Sequence, residues 1–259
     1  MLYIWPFFAF FSAPLLITSV LSAATRPIQY LQTLFSLTSK RAAFISVSYT
    51  LITILLSLVV VRYNTIIHPF TLADNRHYMF YVFRYTILRS HALRLSLVAA
   101  YTVCRWVVWD QLAGAAGPAQ NPPRPVKKAA TATAAAAAAP RTSTALLWLL
   151  TTALSLTTAP LVEPRYFILP WVFYRLLVPA WRATDALAPL GIGRAWPRGG
   201  LAGRLWRVAG SVDVRLPLET AWFVAINVGT MYVFLFRGFY WRGEDGELLD
   251  GGRVQRFMW

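Results

Sequence analysis

The sequence predicts an all-α polytopic membrane protein with about six transmembrane helices. Its composition is the first reason, since 57% of the residues are hydrophobic and only 14% are charged, which is rare in a soluble domain of this length. The second reason is that long stretches contain no charged residue. A transmembrane helix needs about 20 mostly apolar residues, so at least four helices are expected to cross. The uncharged stretches are residues 2–25, 42–60, 142–162 and 220–236.

Two further segments bring the expected number to about six. A fifth helix is predicted over residues 91–109, interrupted by Arg105. Residues 166–181 are shorter and hold Arg175, so a tilted span and a re-entrant helix both remain open. Residues 1–24 fit a retained span better than a signal peptide, because they contain no Lys or Arg and the apolar run is long.

The net charge of +15 does not indicate nucleic-acid binding, because the basic residues lie in loops between spans and not in one soluble basic domain. With six spans, the loops at 24–41, 110–143 and 182–217 share one side and hold 13 Lys and Arg residues, against 9 on the other side. The positive-inside rule makes the first side cytosolic. The segment His68–Tyr81, Arg165 and the C-terminus are then expected on the lumenal or external side.

This topology divides the chain into five predicted regions. They are transmembrane helices over 1–112 with a lumenal loop at 62–90, an Ala/Pro-rich cytosolic loop at 113–143, two membrane segments at 144–182, a Gly/Arg-rich cytosolic loop at 183–216, and a last transmembrane helix with a lumenal tail at 217–259.

The stretch HPFTLADNRHYMFY, from His68 to Tyr81, places ionisable groups between very hydrophobic segments. Ionisable groups beside a bilayer are costly unless they are paired or hydrated, so this stretch is a candidate site for an anionic group. The alternative is a juxtamembrane loop that caps and anchors a helix. Residues 75–90 are predicted to form an interfacial helix rich in aromatic residues, with Asp74 as its N-cap. Acidic residues in the Gly-rich C-terminal tail are interpreted as solvated charges.

No metal or other cofactor is predicted. The single Cys104 lies within a span, so it supports neither a disulfide framework nor a metal cluster. The histidines do not match a tight ligand set, and no acidic cluster joins them. They are His68, His77 and His91.

Several segments together resemble one family, the endoplasmic reticulum dolichyl-phosphate-glucose α-1,2-glucosyltransferases, in its C-terminal part. The segments are LYIWPFFAFFSAPLL at 2–16, HPFTLADNRHYMFYVFR at 68–84, EPRYFILPWVFYRL at 163–176 and QRFMW at 255–259. The resemblance implies a multi-pass GT-C type glycosyltransferase of the endoplasmic reticulum membrane. It also implies membrane lipids, dolichyl phosphate glucose and the dolichol-linked oligosaccharide as partners, and it requires no nucleotide sugar.

The implied reaction needs cationic groups for the departing phosphate and a carboxylate for the acceptor proton. The residues expected to bind the donor phosphate are Arg76 and His77, with His68 and Arg165 in reserve. Those expected to orient them or to contact the sugar are Asp74, Asn75 and Tyr78. Those expected to contact the acceptor or to serve the structure are Glu163, Tyr166 and Arg175. For Glu163, the structural alternative is an ion pair with Arg165 at a tight turn.

The catalytic base is not identified. Family members are longer upstream and carry an acidic motif of the Asp-Glu-Ile-Phe-His type, whereas residues 1–73 contain no Asp or Glu. We therefore expect a truncated gene model or a fragment, or else a short non-catalytic paralogue, and Asp74 is the base only if the chain acts alone. The rival function is a non-catalytic membrane partner, such as a channel-modulating subunit. A small transporter is disfavoured because no repeated halves are found.

Overall fold

The computed structural model describes residues 2–35, 37, 39–65, 67, 69–113, 139–157, 163–180, 200, 213–242 and 245–257. Within these ranges the chain is helical apart from a short C-terminal hairpin. The helices are α1 (Ile4–Phe11), α2 (Ile17–Thr25), α3 (Pro27–Leu34), α4 (Lys40–Tyr63), α5 (Pro69–Ala73), α6 (Tyr78–Val82), α7 (His91–Leu112), α8 (Thr142–Thr157), α9 (Ile168–Leu177) and α10 (Arg215–Phe236). The strands are β1 (Phe239–Tyr240) and β2 (Val254–Gln255).

Three of the described helices, α4, α7 and α10, are long and apolar enough to cross a membrane. A fourth span results if α1 and the helix that follows it count as one. The prediction of an all-α multi-pass membrane protein is thus confirmed. The number of six spans stays a prediction, because α8 and α9 have 16 and 10 residues, about 24 and 15 Å at 1.5 Å per residue against a hydrocarbon core of about 30 Å.

The uncharged stretch 2–25 is not one straight helix. Its two halves, Ile4–Phe11 and Ala13–Thr25, are bent by 82°, and the second half begins with a 3₁₀ turn at Ala13–Leu16. Pro14 lies at the start of that turn, a position where its missing N–H group is tolerated. Within a continuous α-helix the same residue would remove a backbone hydrogen bond. This segment is therefore a broken span or a re-entrant pair of helices.

Helix α7 covers the fifth predicted helix and is continuous through the charged residue Arg105. The helix begins where the Ser90 hydroxyl accepts a hydrogen bond from the Leu93 amide at 3.1 Å. Arg105 Nη2 donates to Thr53 Oγ1 of α4 at 2.8 Å, and its guanidinium carbon lies 5.6 Å from the centre of the Tyr49 ring. These contacts satisfy a cation that would otherwise be costly between two apolar helices.

The hydrophobic core surrounds the C-terminal half of α7, where α1, α8 and α9 meet. Tyr174 of α9 is fully buried and packs against Phe8 and Trp148, with ring centres 5.5 Å away in each case. The indole N–H of Trp148 donates to the Pro170 carbonyl oxygen at 3.0 Å. Large aromatic side chains therefore hold the two short helices against α1 and α7, whereas much of the surface of α4 and α10 is apolar and exposed.

A layer of buried polar groups lies at the C-terminal end of α7. Gln111 is 1% exposed and donates to Ser19 of α2 at 2.6 Å. Arg215, at the start of α10, donates to the Pro179 carbonyl oxygen and to Asp213, both at 2.7 Å. Because buried charges need partners, this layer fixes the ends of α2, α7 and α10 relative to one another.

The opposite ends of α7 and α10 carry the loop after α4 and the C-terminal tail. In the tail, β1 and β2 are antiparallel, with Phe239 opposite Gln255 and Tyr240 opposite Val254. Asp245, Glu247 and Asp250 are exposed in this tail, and the Asp250 carboxylate also accepts a hydrogen bond from Gln255 within the hairpin. The predicted cytosolic loops at 113–143 and 183–216 lie almost entirely outside the described residues, so those domain boundaries stay predictions.

Candidate functional site

The loop between α5 and α6 is organised by the ion pair of Asp74 and Arg76. One carboxylate oxygen, Oδ1, accepts from the Arg76 amide and from Arg76 Nε, both at 2.9 Å. The other, Oδ2, accepts from Nε at 3.0 Å and from Nη2 at 2.6 Å. This bidentate arrangement fixes the plane of the guanidinium group, and Arg76 remains 37% exposed.

The sequence predicted that Asp74 is the N-cap of the following helix, and this prediction is wrong. Helix α6 begins at Tyr78, and His77 occupies the N-cap position with an extended backbone and no side-chain cap. The physical reason is competition for the carboxylate, since both of its oxygens are occupied by Arg76. The predicted helix over 75–90 is present in part, as α6 followed by a π-helical turn at Phe83–Ile87.

The side chains on either side of Arg76 in sequence have polar atoms without hydrogen-bond partners among the described residues. His77 Nε2 lies 3.8 Å from Asp74 Oδ2. His77 Nδ1 and Asn75 Oδ1 are buried, and neither has a hydrogen-bond partner in the part of the chain that the structure describes. Buried polar atoms without partners are rare and call for an explanation. A polar ligand in this loop is one such explanation.

The charge state of Asp74 follows from the same geometry. The hydrogen bond from the Arg76 side chain lowers the pKa of Asp74 below its ordinary value, and the opposing effect of burial is smaller. The carboxylate therefore stays ionised at neutral pH and is a weaker base than an ordinary aspartate. Asp74 is well placed to orient Arg76 and poorly suited to accept a proton.

The ring of Tyr78, predicted to stack on a sugar, already has an aromatic neighbour. Phe257 from the C-terminal tail stacks on it with ring centres 5.7 Å apart and planes 15° apart. Phe257 was not among the predicted site residues. The signal for it in the sequence was the QRFMW ending, but a residue so distant along the chain cannot be placed beside Tyr78 without a tertiary structure.

A second candidate cluster lies before α9, at the 3₁₀ turn Pro164–Phe167. Arg165 forms an ion pair with Glu163, whose side chain is 9% exposed, whereas that of Arg165 is 66% exposed. The guanidinium of Arg165 also lies over the Tyr166 ring, 5.4 Å from its centre. This is the structural alternative, a tight turn closed by its own ion pair, and it leaves Arg165 accessible.

Arg175 belongs to the buried polar layer. Its Nε atom donates to both carboxylate oxygens of Glu219 in α10, at 2.9 and 2.8 Å. Pairing with this acid gives Arg175 a structural role, and its expected contact with the acceptor stays a prediction. Glu219 itself is 6% exposed, so it is a buried partner and not a solvated charge.

The predicted site residues thus fall into separate groups. Asp74, Asn75, Arg76, His77 and Tyr78 lie together in one loop. Among the residues that the structure describes, no ion pair joins this loop to the turn of Glu163 and Arg165 or to Arg175. His68 lies outside the described residues.

Comparison with known proteins shows the family to which the chain is similar. Residues 1–176 match the model of the DIE2/ALG10 family. Curated proteins named Dol-P-Glc:Glc(2)Man(9)GlcNAc(2)-PP-Dol alpha-1,2-glucosyltransferase match over 100% of the chain: one from Neurospora crassa at 38% identity with 53% of its length covered, one from Pyricularia oryzae at 42% with 44% covered, and one from Gibberella zeae at 40% with 49% covered. The chain therefore spans about half the length of these relatives. No solved structure matches.

Proposed function

The chain belongs to the DIE2/ALG10 family, and from this membership we propose that the protein transfers glucose from dolichyl phosphate glucose to the glucosylated lipid-linked oligosaccharide. The linkage formed is α-1,2, and the site of action is the endoplasmic reticulum membrane. The names of the relatives describe this donor, this acceptor and this linkage. Since the chain spans about half of their length, it contributes a part of the whole activity.

One observation carries the assignment of this part, namely the Arg76 guanidinium held in a fixed plane by Asp74. Nη1 of Arg76 carries N–H donors that no acceptor in the described part of the chain occupies. A guanidinium suits a bidentate contact with phosphate. His77 and Asn75 stand on either side of Arg76 in sequence, and each has a buried polar atom without a hydrogen-bond partner among the described residues.

In this proposal the loop serves the leaving group. The acceptor hydroxyl oxygen forms a bond to the anomeric carbon of glucose as the bond from that carbon to the phosphate oxygen breaks. Dolichyl phosphate leaves, and Arg76 and His77 stabilise the negative charge that develops on it. The hydroxyl proton goes to a carboxylate, and we assign that role to none of the loop residues because Asp74 is held as the partner of Arg76. Arg165, accessible at its turn, is a reserve phosphate ligand.

The test is Arg76→Ala in the full-length gene product, numbered as here, with Arg62→Ala as the control. Arg62 is an exposed arginine at the end of α4. Loss of a hydrogen bond to a charged group costs about 1.5–3 kcal/mol, so we expect kcat/KM for dolichyl phosphate glucose to fall about tenfold or more, and Arg62→Ala to leave it unchanged. Glucose transfer is measured with a radiolabelled donor.

Normal turnover by Arg76→Ala with an unchanged donor KM would remove the phosphate role from this loop. If instead the full-length wild-type protein failed to transfer glucose under any condition, the rival function of a non-catalytic membrane partner would be favoured.

A further inference from the structure

The C-terminal hairpin packs on the loop of the candidate donor site. We call residues 238–242 and 245–257 the tail hairpin. Its last described residue, Phe257, contacts three rings: Tyr78 at 5.7 Å, Tyr81 at 5.6 Å and Phe239 at 4.8 Å between ring centres. Two of these rings belong to α6, directly after His77. The tail hairpin therefore supports the short helix on which the polar loop ends.

A contact between the neighbouring Arg256 and the end of α10 holds Phe257 in position. Arg256 Nη1 donates to the Phe234 carbonyl oxygen in the last turn of α10 at 2.6 Å, which satisfies a carbonyl that the helix leaves free. Gly238 allows close approach of the strands, since a Cβ atom there would lie 2.5 Å from Val254 Cγ1. Phe257 thus reaches α6 from a hairpin attached to the end of a long helix.

The turn of the tail hairpin adds an electrostatic link to the same loop. Asp250, Gly251 and Gly252 have positive φ angles of 54, 63 and 70°, a conformation that favours glycine and that aspartate tolerates. The charge of Asp250 raises the pKa of Arg76, as a smaller effect than that of Asp74. The hairpin therefore contacts the aromatic helix, and its Asp250 adds a minor electrostatic effect on Arg76.

We propose that the tail hairpin is a positioning element of the donor site, and that Phe257 is its positioning residue. By stacking on Tyr78, Phe257 holds the start of α6 and with it the orientation of His77 and Arg76 toward the phosphoglucose group. A five-residue helix such as α6 gains little stability from its own hydrogen bonds, so its order depends on this packing. The identity of the ligand rests on the proposed function, whereas the coupling of the tail hairpin to the loop does not.

The test uses Phe257→Ala in the full-length protein, with Leu249→Ala as a matched control. Leu249 lies in the same hairpin with 41% exposure. Hydrogen exchange of the peptide covering 74–82 reports the order of the loop without any activity. We expect Phe257→Ala to speed this exchange and to raise the donor KM about two- to tenfold, the range for a lost aromatic pair, with a smaller change in kcat. Phe257→Tyr, which keeps an aromatic ring, is expected to retain the wild-type exchange rate and donor KM, and Leu249→Ala is expected to change neither.

Unchanged exchange over 74–82 in Phe257→Ala would overturn the proposal, even if transfer became slower. Faster exchange with an unchanged donor KM would also overturn it, since the tail would then order the loop without serving the donor. If Phe257→Ala does not accumulate as folded protein, Arg256→Ala, which removes the attachment to α10, is expected to give the same two changes. A wild-type protein without transferase activity would contradict the proposed function, while the exchange measurement would still decide the coupling.

Discussion

At the residue scale, Asp74 illustrates how a single contact changes the role of a side chain. The sequence around it predicted an N-cap, since an aspartate before an aromatic helical stretch commonly accepts from free amides. In the structure its carboxylate is occupied by the Arg76 guanidinium and amide. The proximity of the five candidate site residues from Asp74 to Tyr78 could be predicted because they are contiguous. Their pairing could not, because it depends on the turn that the backbone adopts.

The pairing predicts a pH dependence that Asp74→Asn removes. Because Arg76 lowers the pKa of Asp74 in the folded state, the ion pair stabilises the fold above the ordinary aspartate pKa of about 3.9. This contribution is lost as the pH falls through the lowered pKa of the folded state. Its size is at most about 1 kcal/mol, since the pair is partly exposed. Asp74→Asn is therefore expected to unfold at a lower temperature than the wild type at neutral pH and at the same temperature in strong acid.

The measurement is the thermal unfolding midpoint in detergent from about pH 7 down to about pH 2, a range that extends well below the ordinary aspartate pKa. Asp245→Asn, in the exposed part of the tail, serves as the control and is expected to follow the wild type throughout. A difference between Asp74→Asn and the wild type that stays constant with pH would contradict the assignment of the ion pair.

At the element scale, composition located the long helices but not their breaks. The uncharged runs at 42–60 and 220–236 lie within α4 and α10, since a long apolar run in a bilayer must satisfy its own backbone. The bend of 82° within residues 2–25 and the short α9 depend on what each segment packs against. Arg175 shows the same limit, because its partner Glu219 lies 44 residues away along the chain.

The ion pair of Arg175 and Glu219 predicts a strong asymmetry between single and double variants. Arg175→Leu leaves the buried carboxylate of Glu219 without this partner and is expected to destabilise the fold by about 3–5 kcal/mol. Arg175→Leu combined with Glu219→Leu removes both charges and is expected to be close to neutral. Unfolding midpoints in detergent, combined as a double-mutant cycle, measure the difference.

The exposed Arg62→Leu is the control for that cycle and is expected to change the midpoint little. Equal destabilisation by the single and the double variant would show that packing, and not the unpaired charge, determines the loss.

At the scale of the whole molecule, two of the described polar features lie at opposite ends of α7 and α10. The loop of Arg76 and the tail hairpin meet at one end, joined by Tyr78 and Phe257. The buried layer of Gln111 and Arg215 lies at the other. This arrangement is consistent with the prediction from basic residues that the loop and the C-terminus share a side of the membrane. The lumenal identity of that side stays a prediction.

The shared side predicts a pattern of chemical labelling. The chain has one cysteine, Cys104, so Cys104→Ser provides a background for single cysteines. We expect Arg89→Cys, in the turn before α7, and Glu247→Cys, in the tail hairpin, to react with a membrane-impermeant maleimide from the same side of sealed microsomes. Gln32→Cys, on the exposed surface of α3, is expected to react from the opposite side. Labelling of Arg89→Cys and Glu247→Cys from opposite sides would contradict this topology.

The sequence alone determined that the chain lies in a membrane, that its fold is helical, and that the candidate site residues form one contiguous loop. It could do so because burial in lipid demands long apolar helices and because neighbours along the chain stay neighbours in space. Only the tertiary structure decided which acid pairs with Arg175, where residues 2–25 bend, and that Phe257 packs on Tyr78. Each of these joins or depends on elements far apart in sequence, and packing geometry, rather than local composition, selects among the partners that chemistry allows.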